Sequence, residues 1–197
     1  MTDLELMQSI KDKWGTAIAA ACSVSSVPAG FLAALIANES GGNPYARRFE
    51  HSVLASLWEV LLGRKTAYGS IARLSLVGYV TGISVLTVNA PTSLPADAFQ
   101  RVDALATSWS LTQIMGYHAL EPQIAASGMA SLKDPAGNLI CATRMLGAFA
   151  HSYQLDVTRD FEPMLRCWNG GHPTAPTFDP NYVPNGLARM ALWTGLT

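Results

Sequence analysis

Glu39 is the residue best placed to do chemistry, because its neighbours fix where its carboxyl goes. The run Phe31-Leu32-Ala33-Ala34-Leu35-Ile36-Ala37-Asn38-Glu39-Ser40-Gly41-Gly42-Asn43-Pro44 reads as an apolar helix that ends on the glutamate. Phe31, Leu32, Leu35 and Ile36 recur at helical spacing, and Glu39 lies three and four residues beyond Ile36 and Leu35, so it continues the buried stripe. Gly41, Gly42 and Pro44 then break the helix. A carboxyl partly withdrawn from water, near the negative end of a helix dipole, keeps its proton to higher pH than usual. That is the property a general acid needs near neutrality. The plain alternative is a surface glutamate in a C-terminal turn.

Three later segments bear on that choice. Ser108-Trp109-Ser110-Leu111-Thr112-Gln113-Ile114-Met115-Gly116 places a glutamine in an otherwise apolar run. Asp134-Pro135-Ala136-Gly137-Asn138-Leu139 opens a helix, and Cys167-Trp168-Asn169-Gly170-Gly171 is followed by Asn181-Tyr182-Val183. Taken with Glu39-Ser40-Gly41-Gly42-Asn43-Pro44, these resemble, in order, the catalytic-glutamate, Gly-Leu-Met-Gln-Ile, Asn-Ile and Tyr-Asn-Gly-Gly/Tyr-Val segments of lysozyme-like lytic transglycosylases and goose-type lysozymes. The Trp109 segment is more similar still to the Ser-Trp-Gly-Leu-x-Gln-Ile-Met-Gly version of phage-type N-acetylmuramidases. The resemblance runs from Glu39 to Tyr182 but leaves residues 57–95 unexplained.

The resemblance implies a peptidoglycan-degrading glycosidase that cuts the β-1,4 bond between N-acetylmuramic acid and N-acetylglucosamine, with Glu39 as acid and then base. Glycosidases of the two-carboxylate kind add a second carboxyl, close for retention and farther away for inversion. Glu50, in Arg47-Arg48-Phe49-Glu50-His51, is the candidate, since a similar Arg-Phe-Glu segment accompanies the catalytic glutamate of phage-type muramidases. Its alternative is a glutamate that caps a helix or pairs with Arg47 or Arg48. The resemblance also allows a transglycosylase that needs no second carboxyl, because the substrate's own N-acetyl and C6 hydroxyl groups complete the reaction. Ser108, Gln113 and Asn169 would form a polar lining for sugar amides and hydroxyls. Gln113 must find partners if buried, whether in a ligand or in the protein. Trp109 and Trp168 either stack on sugar rings or fill the core. Gly170 and Gly171 permit a tight turn or close approach to a saccharide. Tyr182 is similar to the family's late tyrosine, whose hydroxyl lies near the catalytic glutamate; Tyr153 is another candidate, which by itself reads as core. Asp97 and Asp103 read as helix cap and surface charge. A rival of another class is a non-catalytic wall-binding or particle-structural module, and a third possibility is chitinase-like specificity.

The elements that must position these groups are mostly helical. Asp3 to Val24 reads as an amphipathic helix with Leu6, Ile10, Trp14 and Ile18 on one face. Ser25 or Ser26 is expected to cap the Glu39 helix, with Pro28 in its first turn. A third helix is expected over 49–62, and further ones after Asp97, from about Leu120, over 138–153, 161–168 and 185–193. The stretch 71–88, rich in Val, Ile, Leu and Thr and interrupted by Gly78 and Gly82, reads as buried strands or a broken helix. The fold class expected is mainly α with a minor β element, of the lysozyme-like α+β kind. One domain is expected over 1–197, with an atypical insertion at about 57–95.

The composition narrows the function classes. The chain is 197 residues long, 49% hydrophobic and 14% charged, with net charge −1. So near-neutral a chain implies no strong electrostatic attraction to nucleic acid or to anionic surfaces. The two glycines argue against membrane insertion of 71–88. Cys22, Cys141 and Cys167 form no even framework and read as reduced, packed thiols, with one bridged pair as the alternative. The four histidines, His51, His118, His151 and His172, show no metal-ligand spacing, and no cofactor is expected. The first residues lack a basic region followed by a long apolar run. The expectation is synthesis in the cytoplasm without a signal peptide, and action on the bacterial wall after lysis, export by other machinery or carriage on a particle, as a phage or prophage lysin would.

Overall fold

The first helix starts with a reciprocal cap. The Thr2 hydroxyl accepts from the Glu5 amide at 3.2 Å while the Thr2 amide donates to the Glu5 carboxylate at 2.7 Å, which satisfies two of the orphan donors of a helix start. In this computed structural model, which describes residues 1–82 and 94–196, that helix is α1 (Asp3–Ser23). There follow α2 (Ala29–Glu39), β1 (Arg47–Phe49), α3 (His51–Leu61), a small hairpin β2 (Ala67–Tyr68) and β3 (Ile71–Ala72), α4 (Arg73–Thr81), α5 (Ala98–Leu105), β4 (Thr107–Trp109) and β5 (Ile114–Met115). A 3₁₀ turn (Gly116–Leu120), two short helices α6 (Pro122–Ala125) and α7 (Gly128–Lys133), then α8 (Pro135–Tyr153), α9 (Phe161–Gly170) and α10 (Tyr182–Gly195) complete the chain. The protein is mainly helical with a minor β element.

Two apolar clusters organise these elements. In the larger, α2 is buried all round from Gly30 to Ala37, as befits a helix with almost no polar residue before Asn38. Helices α1, α8, α9 and α10 surround it, with Ile10, Ile18, Leu139, Leu146 and Leu165 among the buried contacts. The smaller cluster joins α3, α4 and α5 through Leu57, Val60, Leu76, Val80, Val102 and Leu105. Between them runs an antiparallel sheet of order β1-β4-β5, in which Arg47 faces Trp109, Arg48 faces Ser108, and Ser108 faces Met115. Gly116, which ends the Trp109 segment, lets the chain pass α5 closely: a Cβ there would stand 2.0 Å from the Ala104 carbonyl oxygen.

Several local expectations are corrected. Neither Ser25 nor Ser26 caps α2; Pro28 holds the cap position, and the Ser25 hydroxyl turns back to the Ala21 carbonyl at 3.3 Å. Asp97 precedes α5 but does not cap it, because its carboxylate is drawn to Arg101 at 2.8 Å. The third helix starts at His51 because 47–49 pair with β4, and the last starts at Tyr182 rather than Asn185. Within 71–88, residues 73–81 form a helix that carries Gly78 in its interior and stops at Gly82, whose φ of 72° makes a left-handed C-cap. Burial of Leu76, Val77 and Val80 in the smaller cluster outweighs the strand preference of the β-branched residues there. The alternating residues 83–88 lie outside the described residues. All three cysteines are free. Among the described residues no helix is long and apolar enough to cross a membrane.

Candidate active site

The C-terminal end of α2 brings Glu39 to the wall of a cleft of about 440 Å³. Two bonds fix the helix end. The Ser40 hydroxyl donates to the Leu111 carbonyl at 2.7 Å, which ties α2 to the β4–β5 turn. The Trp14 indole N–H donates to the Gly42 carbonyl at 3.1 Å and holds the following loop against α1. Tyr182, at the start of α10 and only 8% exposed, donates its hydroxyl to Glu39 Oε1. Its backbone is held in turn, since Asn38 Nδ2 donates to the Tyr182 carbonyl at 2.8 Å. Asn38 Oδ1 accepts from Arg189 at 2.7 Å, and Arg189 donates to Asp3 at 3.0 Å. Helices α1, α2 and α10 are thus locked around the tyrosine–glutamate pair.

Burial disfavours the charged carboxylate and lifts the Glu39 pKa to about 7; the Tyr182 hydrogen bond and the Arg48 charge pull the other way without offsetting it. Burial, with the adjacent Glu39 charge, also pushes the Tyr182 phenol above its ordinary range, so it stays a donor. Since Tyr182 occupies Oε1, the carboxyl proton falls to Oε2.

Strand alternation explains how the other walls are built. Successive residues of β1 point to opposite faces, so Arg48 enters the Glu39 cleft while Arg47 lines a neighbouring cavity of about 380 Å³. Glu50 does not line the Glu39 cleft. It sits at the N-cap position of α3 and pairs with Arg48 at 2.6 Å. Glu39 is the one carboxylate among the described residues that line the cleft.

Of the other residues singled out from the sequence, Trp168, Asn169 and Gly170 line the cleft from the C-terminal end of α9. Asn169 Oδ1 accepts from the Phe178 amide at 3.1 Å, which leaves its amide hydrogens for other acceptors. Gly170 is required by its own loop: a Cβ would stand 2.6 Å from Ala175 Cβ. Gly171 has φ 77° and ends α9. Gln113 reaches the cleft, yet both its amide hydrogens serve backbone carbonyls, Ala46 at 2.9 Å and Ser110 at 2.8 Å, and its oxygen accepts from Ser108 at 2.8 Å. Ser108 and Gln113 therefore act first as a clamp between β1 and the β4–β5 turn. Trp109 lies outside the Glu39 cleft, in the cavity with Tyr45, Arg47 and Lys133, whose ammonium stands 4.5 Å from its ring centroid. Tyr153 is half-buried and donates to the Gly171 carbonyl at 2.8 Å, bracing the cleft rim.

Sequence reasoning missed Arg48 and His118, and gave Asn138 no role beyond its place in the Asp134 segment. Arg48 was visible only as a partner for Glu50, and a three-residue strand is too short to announce its alternation. Asn138 is fully buried and spends all its hydrogen-bonding capacity: its oxygen accepts from the Thr112 amide at 3.0 Å and hydroxyl at 2.7 Å, and its amide donates to Trp109 and Leu132 carbonyls. His118 lines the cleft beside Tyr117. Among the described residues no group of three or more His, Cys, Asp or Glu side chains is arranged to hold a metal ion. No family model, curated protein or solved structure matches the chain.

Proposed function

We propose that the protein is a peptidoglycan-cleaving glycosidase that cuts the β-1,4 bond between N-acetylmuramic acid and N-acetylglucosamine. The observation that carries the reading is the one carboxyl among the described cleft-lining residues, Glu39, bound by Tyr182 and with its pKa lifted by burial to about 7. In this reading Glu39 Oε2 protonates the leaving glycosidic oxygen, and the resulting carboxylate then takes a proton from the incoming nucleophile. The Trp168 ring offers an apolar face for a sugar, and the Asn169 amide hydrogens, unpaired among the described residues, suit acetamido or hydroxyl oxygens. Four short motifs in the order found in lysozyme-like enzymes lend support from the sequence.

How the second half-reaction ends has two readings. A muramidase delivers water to the anomeric carbon, which the Trp109 segment's similarity to phage-type muramidases favours. A lytic transglycosylase delivers the substrate's own C6 hydroxyl and leaves a 1,6-anhydromuramic end. Glu39 is the one carboxylate among the described residues that line the cleft, Glu50 being paired with Arg48, and this favours the second course, which needs no second carboxyl. Mass analysis of muropeptides released from purified sacculi tests both. Disaccharide-peptides with a reducing muramic end are expected from hydrolysis, and products lighter by one water from transglycosylation. Release of free peptides with intact glycan strands would overturn the glycosidase reading.

A further inference from the structure

His118 stands in the same cleft as Glu39 and is held there by a network that the proposed reaction does not use. Its Nδ1 lies 2.7 Å from Glu121 Oε2. Glu121 is 9% exposed, and the same oxygen accepts from Gln123 at 2.7 Å while Oε1 accepts from the Ser70 hydroxyl. Burial alone would favour protonation of Glu121, but the His118, Ser70 and Gln123 hydrogen bonds and the His118 charge hold its pKa below the ordinary value. An ionised carboxylate only accepts, so the ring proton nearest it sits on Nδ1 in either form, and in the neutral imidazole Nε2 presents a lone pair. That nitrogen has no hydrogen-bond partner among the described residues.

The position of the ring is equally built. The β2–β3 hairpin supplies Ser70 to Glu121 and stacks Tyr68 edge-on against Tyr117, with ring centroids 5.2 Å apart. Tyr117 packs on His118 at 4.3 Å. The hairpin belongs to the stretch that the motif order leaves unexplained. Beyond His118 a second cavity of about 200 Å³ opens, and His118, Met145 and Phe149 line both it and the Glu39 cleft. An elongated ligand that passes from one to the other must pass the imidazole.

We infer that His118, positioned by Glu121 and Ser70, is a sugar-binding residue whose Nε2 accepts a hydrogen bond from a hydroxyl or acetamido N–H of an N-acetylated glycan strand. The inference rests on the glycan-cleaving reading of the cleft. On it, the hairpin serves to fix the tautomer and tilt of a specificity residue from outside the cleft.

The test uses the Glu39→Gln protein, so that ligand is bound but not cut, titrated with the β-1,4-linked N-acetylglucosamine tetramer. Ring resonances of His118, assigned by their loss in a His118→Gln derivative, are expected to shift on titration, with ¹⁵N shifts reporting Nδ1–H in the free protein. His118→Ala should weaken tetramer binding about tenfold, the worth of one hydrogen bond, and His118→Gln should recover part of it. Glu121→Gln should turn the tautomer toward Nε2–H and weaken binding in the same direction, as should Ser70→Ala. Tetramer binding with unmoved His118 resonances and an unchanged Kd in folded His118→Ala overturns the inference and leaves the Glu39 reading standing. Failure of wild-type protein to cut glycan strands, with His118 still responding to the tetramer, overturns the reaction and keeps the binding residue. No binding of the tetramer at all overturns the inference and leaves the Glu39 reading to the sacculus assay.

Discussion

At the scale of single residues, Glu39 is held between opposing forces. Burial lifts its pKa to about 7 while Tyr182 and Arg48 stabilise the anion, so the group stands near half-protonation where an acid that must also become a base works best. The arrangement has a cost that can be measured. A carboxyl whose folded pKa lies above its unfolded value of 4.5 contributes most below pH 4.5, and that contribution falls away as pH rises toward 7. Glu39→Gln removes the titrating group, so at pH 8 it should be more stable than wild type by roughly 2 kcal/mol, at 1.36 kcal/mol per pKa unit with some relaxation. At pH 4 the two should differ little; urea unfolding at both pH values checks this. Tyr182→Phe removes a donor to the anion, so the Glu39 pKa should rise further and the alkaline limb of the pH–rate profile should move upward. An unmoved limb would remove Tyr182 from the account. Glu39 was legible because helical phase alone carried it onto the apolar stripe. The Tyr182 hydroxyl was not, since its bond spans 143 positions and only the resemblance suggested it.

At the scale of elements, the small sheet sorts residues that the sequence sets side by side. Arg47 and Trp109 face each other across β1 and β4 and share one cavity, while Arg48 turns to the Glu39 cleft. Strands of three residues within a helical chain leave no readable period, which is why Trp109 was a candidate for stacking on the sugar and Arg48 was not. The helices were easier. The apolar spacing in α1 and α2 and the Asp134 cap of α8, whose carboxylate accepts from the Gly137 amide at 2.7 Å, each act locally. The β4–β5 turn carries strain that a substitution exposes. Ser110 adopts φ 63° and its buried hydroxyl has no partner among the described residues, at the position where the similar phage-type segment carries glycine. Ser110→Gly relieves both, against the extra chain entropy of glycine, and should stabilise the protein by about 1 kcal/mol. Thermal unfolding reads the result, and a lower Tm would show that the turn is not strained.

At the scale of the whole molecule, the cleft exists because two apolar clusters bring their carriers together. The larger carries Glu39, Trp168 and Asn169 on α2 and α9; the sheet, its β4–β5 turn and the 3₁₀ turn, packed on the smaller through Phe49 and Tyr117 and on the larger through Ile114 and Ala119, carry Arg48, Gln113 and His118. The mainly helical class was legible from periodicity, but this division was not, because it depends on which helix faces pack across long sequence separations. With a net charge of −1 the molecule lacks a broad attractive field, so recognition of a wall polymer falls to groups inside the cleft. The central claim is that Glu39 cuts glycan as an acid. Lysis of purified sacculi by wild-type protein and by Glu39→Gln, compared at pH 6 with far-UV circular dichroism confirming equal folding, tests it most directly. The account predicts clearing by wild type and a loss of at least a hundredfold in Glu39→Gln, the usual worth of a positioned proton donor. Lysis retained in a folded Glu39→Gln protein would contradict it.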